Sequence, residues 1–165
     1  MKQKDEMEKI YFAHSKTVYR YLFSLTRNEE LSTELTQETF YRAVKSIDSF
    51  DRSCKITTWL CAIAKNVFLS WLQKSKRTEE LTEFSAVCPS PEEEVLSGLG
   101  RIELMRRLHE MNETTREVMY LRLLGDLSFA EIGAIVGITE TNARVTYYRG
   151  KEKLRKELLN DERKA

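Results

Sequence analysis

The sequence predicts an all-α chain of two small helical domains, and three observations carry that prediction. No glycine occurs before Gly98 and the only prolines are Pro89 and Pro91, so the first part of the chain lacks the residues that most often break helices. Apolar residues recur at helical spacing on both sides of a charged, proline-bearing stretch, and no alternating strand pattern survives scrutiny. Towards the C-terminus, residues 128–139 and 140–151 read as a short helix, a tight turn and a second, basic helix.

Taken in order, the first helix is expected over residues 5–25, with Ile10, Val18, Leu22 and Leu25 among its apolar positions. The second is expected over 32–47, with Ser32 as N-cap and Leu35, Phe40, Ala43 and Ile47 as its stripe. A polar loop, residues 48–55 with Phe50 in it, leads to a third helix over 57–75 that carries Trp59, Leu60, Ile63, Ala64, Val67 and Trp71. A flexible acidic linker is then expected over 78–98, so the domains are placed at 1–77 and 99–165. Beyond it come helices near 101–111 and 115–124. The second of these is opened by a Thr114/Glu117 capping box and closed by Gly125.

The helix-turn-helix follows. Ser128 with Glu131 three residues on forms a capping box, Gly137 supplies the left-handed residue that stops the helix, and Thr139 caps the next one. Ile132, Ile135, Val136 and Ile138 supply the apolar seam such a pair must bury. At 100° per residue, Ala143, Tyr147, Gly150, Leu154 and Leu158 share one stripe of the second helix and face the core. Arg144, Tyr148, Lys151 and Arg155 share an adjoining stripe, with Val145 and Arg149 beside it. That face is either an ordinary solvated one or a major-groove reader, since arginine can bond guanine in a bidentate way.

Charge is segregated. The formal net charge is +1, with 27 Lys and Arg against 26 Asp and Glu, so this is no uniformly basic coat for nucleic acid. Lys74, Lys76 and Arg77 form a basic cluster. Glu79, Glu80, Glu83, Glu92, Glu93 and Glu94 follow it without an intervening cation, and the last helix is basic again. Two separate cationic surfaces are implied. Cys54, Cys61 and Cys88 make an odd number with no C-x-x-C pair. Neither a disulfide framework nor a zinc site is expected, and His14 and His109 lack ligand spacing. The N-terminus lacks a signal-peptide core, and no run of about 18 apolar residues occurs. The expectation is a cytoplasmic protein with no membrane contact of its own.

Nothing in the pattern supports catalysis: there is no nucleophile–base arrangement, Walker-type loop or paired-carboxylate spacing, and no cofactor or metal is expected. Asn66, mid-helix where asparagine is a poor helix former, is either a solvated residue or a side chain placed to hydrogen-bond a partner. Trp59 and Trp71 are core residues or stacking platforms. Glu34, Gln37 and Glu38 are a solvated face or a surface for a basic partner.

Residues 35–40 (Leu-Thr-Gln-Glu-Thr-Phe), Asp48-Ser-Phe50, Thr58-Trp-Leu60, Ile63-Ala-Lys-Asn66 and the helix-turn-helix, in that order, resemble a bacterial extracytoplasmic-function sigma factor over nearly the whole chain. The resemblance implies two helical domains, region 2 and region 4, that bind core RNA polymerase and direct it to minus-10 and minus-35 promoter DNA. It also implies an anti-sigma factor as partner. By the same resemblance Glu34, Gln37 and Glu38 lie at the polymerase interface. Phe50, Asp51, Arg52, Ser53, Lys55, Asn66, Lys74 and Arg77 belong to the minus-10 site, where a base flipped from the non-template strand is captured. Arg144, Val145, Tyr148 and Arg149 belong to the minus-35 reader, and Lys151, on the same cationic face, is placed with them. Ser70 and the run Lys74-Ser-Lys-Arg77 depart from the family pattern of Asp followed by paired arginines. A plain helix-turn-helix regulator would explain the C-terminal half alone, and an interaction-only adaptor would show no promoter dependence.

Overall fold

The computed structural model describes residues 2–78 and 99–164, which fall into two compact units, Met1–Val87 and Cys88–Ala165. The linker expected over 78–98 lies outside the described residues apart from Thr78, and so does the side chain of Arg77. Among the described residues every regular element is helical, and no helix is long and apolar enough to cross a membrane.

In the N-terminal unit α1 (Lys2–Thr26), α2 (Glu29–Ser46) and α3 (Ile56–Thr78) pack mutually, with a 3-10 turn at Ile47–Ser49. Val18, Leu22, Ala43, Leu60, Cys61 and Ala64 are wholly withdrawn from solvent and form the core. Burial also pushes the Cys61 thiol up to about 12, which leaves it unreactive. The buried seam of α2 is rich in hydroxyls. Ser32, Thr36 and Thr39 each donate to the carbonyl one turn back, at 2.6, 2.6 and 2.7 Å. Such back-bonding satisfies groups whose unpaired burial would cost about 1–3 kcal/mol each.

The start of α2 corrects an expectation. The N-cap is Asn28, whose side chain accepts from the Leu31 amide at 2.9 Å, and not Ser32. Arg27 adopts a left-handed conformation (φ 52), so the chain turns there and the helix begins a turn earlier. Ser32 instead sits buried with its Oγ 2.6 Å from Thr26 Oγ1 at the end of α1.

The C-terminal unit contains α4 (Leu99–Glu110), α5 (Glu113–Leu123), α6 (Phe129–Val136) and α7 (Glu140–Lys164). Leu108, Met111, Met119, Tyr120 and Leu154 form its central cluster, against which Leu104, Met105, Leu124 and Tyr147 pack half-buried. On the surface Arg107 of α4 pairs with Glu103 and reaches across to Glu157 and Asp161 of α7. Two more expectations are corrected here. Asn112 caps α5, accepting from the Thr115 amide at 2.9 Å, and Glu117 is buried, so no Thr114/Glu117 capping box opens this helix. Gly125 follows α5, yet the left-handed residue is Asp126 (φ 52). Glycine serves at 125 because a Cβ would stand 2.8 Å from the Leu121 carbonyl oxygen.

Candidate nucleic-acid interface

The helix-turn-helix is built by local rules. The Ser128 side chain accepts from the Glu131 amide at 3.2 Å, and the Glu131 carboxylate accepts from the Ser128 amide at 2.9 Å, a complete capping box. Gly137 is left-handed (φ 86), and its amide and that of Ile138 both bond the Gly133 carbonyl. Gly133 has its own role: a Cβ there would lie 2.7 Å from the Ile138 carbonyl oxygen, so only glycine lets the turn close on α6. Thr139 Oγ1 accepts from the Asn142 amide at 3.1 Å and starts α7. Ile132 is fully buried at the seam, whereas Ile135, Val136 and Ile138 are half-buried.

On α7, Ala143, Gly150 and Leu154 are buried and Tyr147 and Leu158 half-buried, so the inward stripe is the one the periodicity indicates. Arg144, Val145, Tyr148, Arg149 and Lys151 are all exposed. Arg144 donates to the Glu140 carboxylate at 3.1 Å. Among the described residues neither Arg149 nor Lys151 is held in an ion pair. Such a face offers fork-shaped donors, an aromatic ring and a small apolar group, the set that suits phosphates and base edges in a major groove.

The N-terminal candidates are spread over a loop and a helix. Phe50 leaves the 3-10 turn and lays its ring on Trp59, with centroids 4.9 Å apart. Asp51 Oδ1 accepts from the Ser53 amide at 2.9 Å, and hydrogen bonds from Ser53 hold this carboxyl below the usual range. Arg52 is left-handed (φ 60). Between this loop and the first turns of α1 lies a cavity of about 490 Å³, into which Phe50, Arg52 and Cys54 face Gln3, Glu6 and Ile10. Gln3 Nε2 donates to Asp48 Oδ1 at 2.8 Å and ties α1 to the loop. Ser53, Lys55, Asn66 and Lys74 are exposed and do not line the cavity. Asn66 is seven residues beyond Trp59, on the same side of α3. Among the described residues no cluster of His, Cys, Asp or Glu is disposed to hold a metal.

On α2, Glu34 and Gln37 are exposed and Glu38 half-exposed, its carboxylate 2.8 Å from Arg42 Nε. Sequence reading missed two neighbours. Tyr41 and Val44 are 55% and 52% exposed and continue the same face at helical spacing. The signal was present, because both lie off the buried stripe of Leu35, Thr39 and Ala43.

Comparison with known proteins agrees with this architecture. Residues 10–78 match the family Sigma-70 region 2, and residues 101–154 match Sigma-70, region 4. The chain is 30% identical over 160 residues to the ECF RNA polymerase sigma factor SigM of Bacillus subtilis, covering 90% of this chain and 93% of SigM. It is also 30% identical over 154 residues to SigW of the same organism, covering 86% and 82%. Among solved structures, the sigma factor RpoE in complex with the anti-sigma factor NepR from Bartonella quintana shares the fold. Its TM-score is 0.74 at 20% identity, over 93% of this chain and 96% of that one. CnrH in complex with the cytosolic domain of CnrY does so with a TM-score of 0.63 at 20% identity, over 96% and 90%. The chain belongs to the extracytoplasmic-function (ECF) family of RNA polymerase sigma factors, whose role is promoter-directed transcription initiation.

Proposed function

We propose that this sigma factor reads the minus-35 duplex with Arg144, Val145, Tyr148, Arg149 and Lys151. The minus-10 element is opened by trapping an unstacked base in the neighbourhood of Phe50, Asp51, Arg52, Ser53, Lys55, Asn66, Lys74 and Arg77. The observation that carries this reading is the face of α7: a capped recognition helix whose exposed side is cationic and whose opposite side is core. Arginine bidentate to guanine supplies about 1–3 kcal/mol of discrimination per contact. Unstacking a base costs a few kcal/mol, and hydrogen bonding and stacking against the trapped base offset it. Residues 1–77 act as region 2 and 99–165 as region 4, with 78–98 as the linker. Core polymerase docks on Glu34, Gln37 and Glu38, and the protein works in the cytoplasm. RpoE and CnrH were each solved with a partner, NepR and the cytosolic domain of CnrY, and an anti-sigma factor is proposed for this chain by analogy.

The free protein is expected to bind promoter duplex weakly, since each unit offers few phosphate contacts and the net charge is near zero. The decisive experiment is transcription in vitro with purified core polymerase and a promoter library. Selection of promoters sharing minus-35 and minus-10 elements supports the reading. Tight, sequence-specific binding by the free protein, with no polymerase dependence, would sink it and favour a plain regulator.

A further inference from the structure

We propose that Phe129 is a positioning residue for the DNA-reading face, its ring serving as the platform that orients Arg144. This rests on the reading of α7 as the minus-35 helix. Phe129 is the first residue of α6, only 9% exposed, and the capping box on either side of it fixes where its side chain leaves the backbone. Two guanidiniums approach its ring: Arg122 at 4.5 Å and Arg144 at 5.4 Å from the centroid. Both distances lie within the range of cation–π attraction. Arg122 is anchored at its tip, donating to the Leu127 carbonyl at 2.7 Å, so it braces the ring from α5. Tyr147 and Tyr148 pack at 5.6 and 6.0 Å from the ring, and 5.3 Å from each other.

The consequence is preorganisation. An exposed arginine samples many rotamers, and ordering it on contact with a base weakens binding. Here Arg144 is held from two directions, by the Glu140 carboxylate through one Nη2 donor and by the Phe129 face. The rest of its donor fork stays available for DNA. The alternative is that Phe129 is a core residue and nothing more. In that case any side chain that fills its volume should serve.

The test uses the full-length chain with core polymerase, and reads transcription from promoters altered at single minus-35 positions. Phe129 is replaced site-specifically by mono-, di- and trifluorophenylalanine, which keep its shape and drain charge from the ring face. Phe129→Leu, alone and with Arg144→Ala, completes the set. The expected result is a stepwise loss of discrimination with fluorination, reaching about two- to fivefold. It should be confined to the minus-35 positions that Arg144→Ala itself affects, with thermal melting unchanged. In the Arg144→Ala background the fluorinated and leucine forms should add no further loss. Discrimination that ignores fluorination, or a Phe129→Leu loss spread over all promoters and additive with Arg144→Ala, overturns the positioning role. If Arg144→Ala changes no minus-35 preference, the reading of α7 beneath it fails, and that outcome is visible separately.

Discussion

The two units solve the same problem in opposite ways. The C-terminal unit displays its candidate DNA contacts on one side of a single helix, so each position is set by the 3.6-residue repeat of α7. The N-terminal unit gathers its candidates from a short loop held by Asp51 and a left-handed Arg52, and from the exposed side of α3. The polar groups they bury differ as well: the N-terminal unit buries the α2 hydroxyls of Ser32, Thr36 and Thr39, and the C-terminal unit buries the charged Arg116 and Glu117 of α5. A helix-borne face separates stability from reading, because core and contact residues lie on opposite sides. A loop-borne site mixes them, because the residues that shape the loop also line it.

The largest effect should come from the C-terminal cluster. Leu154→Ala should destabilise that unit by about 2–5 kcal/mol, because the side chain is buried among Leu108, Met111, Met119 and Tyr120. Tyr147→Ala should cost less, since Tyr147 is only half-buried at the margin of the same cluster. Hydrogen exchange along the full chain checks both, with protection lost from α4 to α7. If Arg149→Ala produced the same loss, the division of α7 into two sides would be wrong.

Arg149→Ala should instead leave exchange untouched and lower minus-35 discrimination by about 1–3 kcal/mol if the arginine is bidentate to a base. A phosphate contact would weaken all promoters alike and reduce the salt slope by about one. Transcription at two salt concentrations separates the two.

In the N-terminal unit, Asn66→Ala should impair promoter opening by roughly 1–3 kcal/mol while leaving polymerase binding and melting alone, since the side chain is exposed and carries no core packing. Permanganate reactivity of the minus-10 element measures this. Wild-type reactivity would return Asn66 to a solvated position on α3.

The smallest effect concerns pH. His14, half-buried on α1 with Nδ1 3.3 Å from Thr57 Oγ1, has its pKa lowered by burial. The unfolded chain therefore takes up a proton at higher pH than the folded one. Stability is complete above the ordinary histidine value of about 6.5 and declines as pH falls below it, until the folded-state histidine also protonates. Both tryptophans, Trp59 and Trp71, lie on α3, so their fluorescence reports this unit. Melts followed that way should weaken from pH 7 to 5.5, and His14→Gln should flatten the dependence.

Short-range rules were enough for much of this chain. The helical class, the capping box at Ser128, the left-handed Gly137, the Thr139 cap and the two sides of α7 all depend on residues within a turn or two of one another. They were therefore written in the spacing. The same reasoning misplaced the starts of α2 and α5, because several candidate caps stood close together. Asn28 and Asn112 are the residues whose side chains accept from the amide three positions on. Tertiary structure alone decided the rest. The cavity beneath the loop is lined from two distant stretches of chain, with Gln3 bonded to Asp48 across 45 residues. The platform under Arg144 exists because Arg122, Phe129 and Arg144 arrive from three helices. Local propensity places a side chain on an element, but which side chains meet is settled only when the elements bury their apolar faces together.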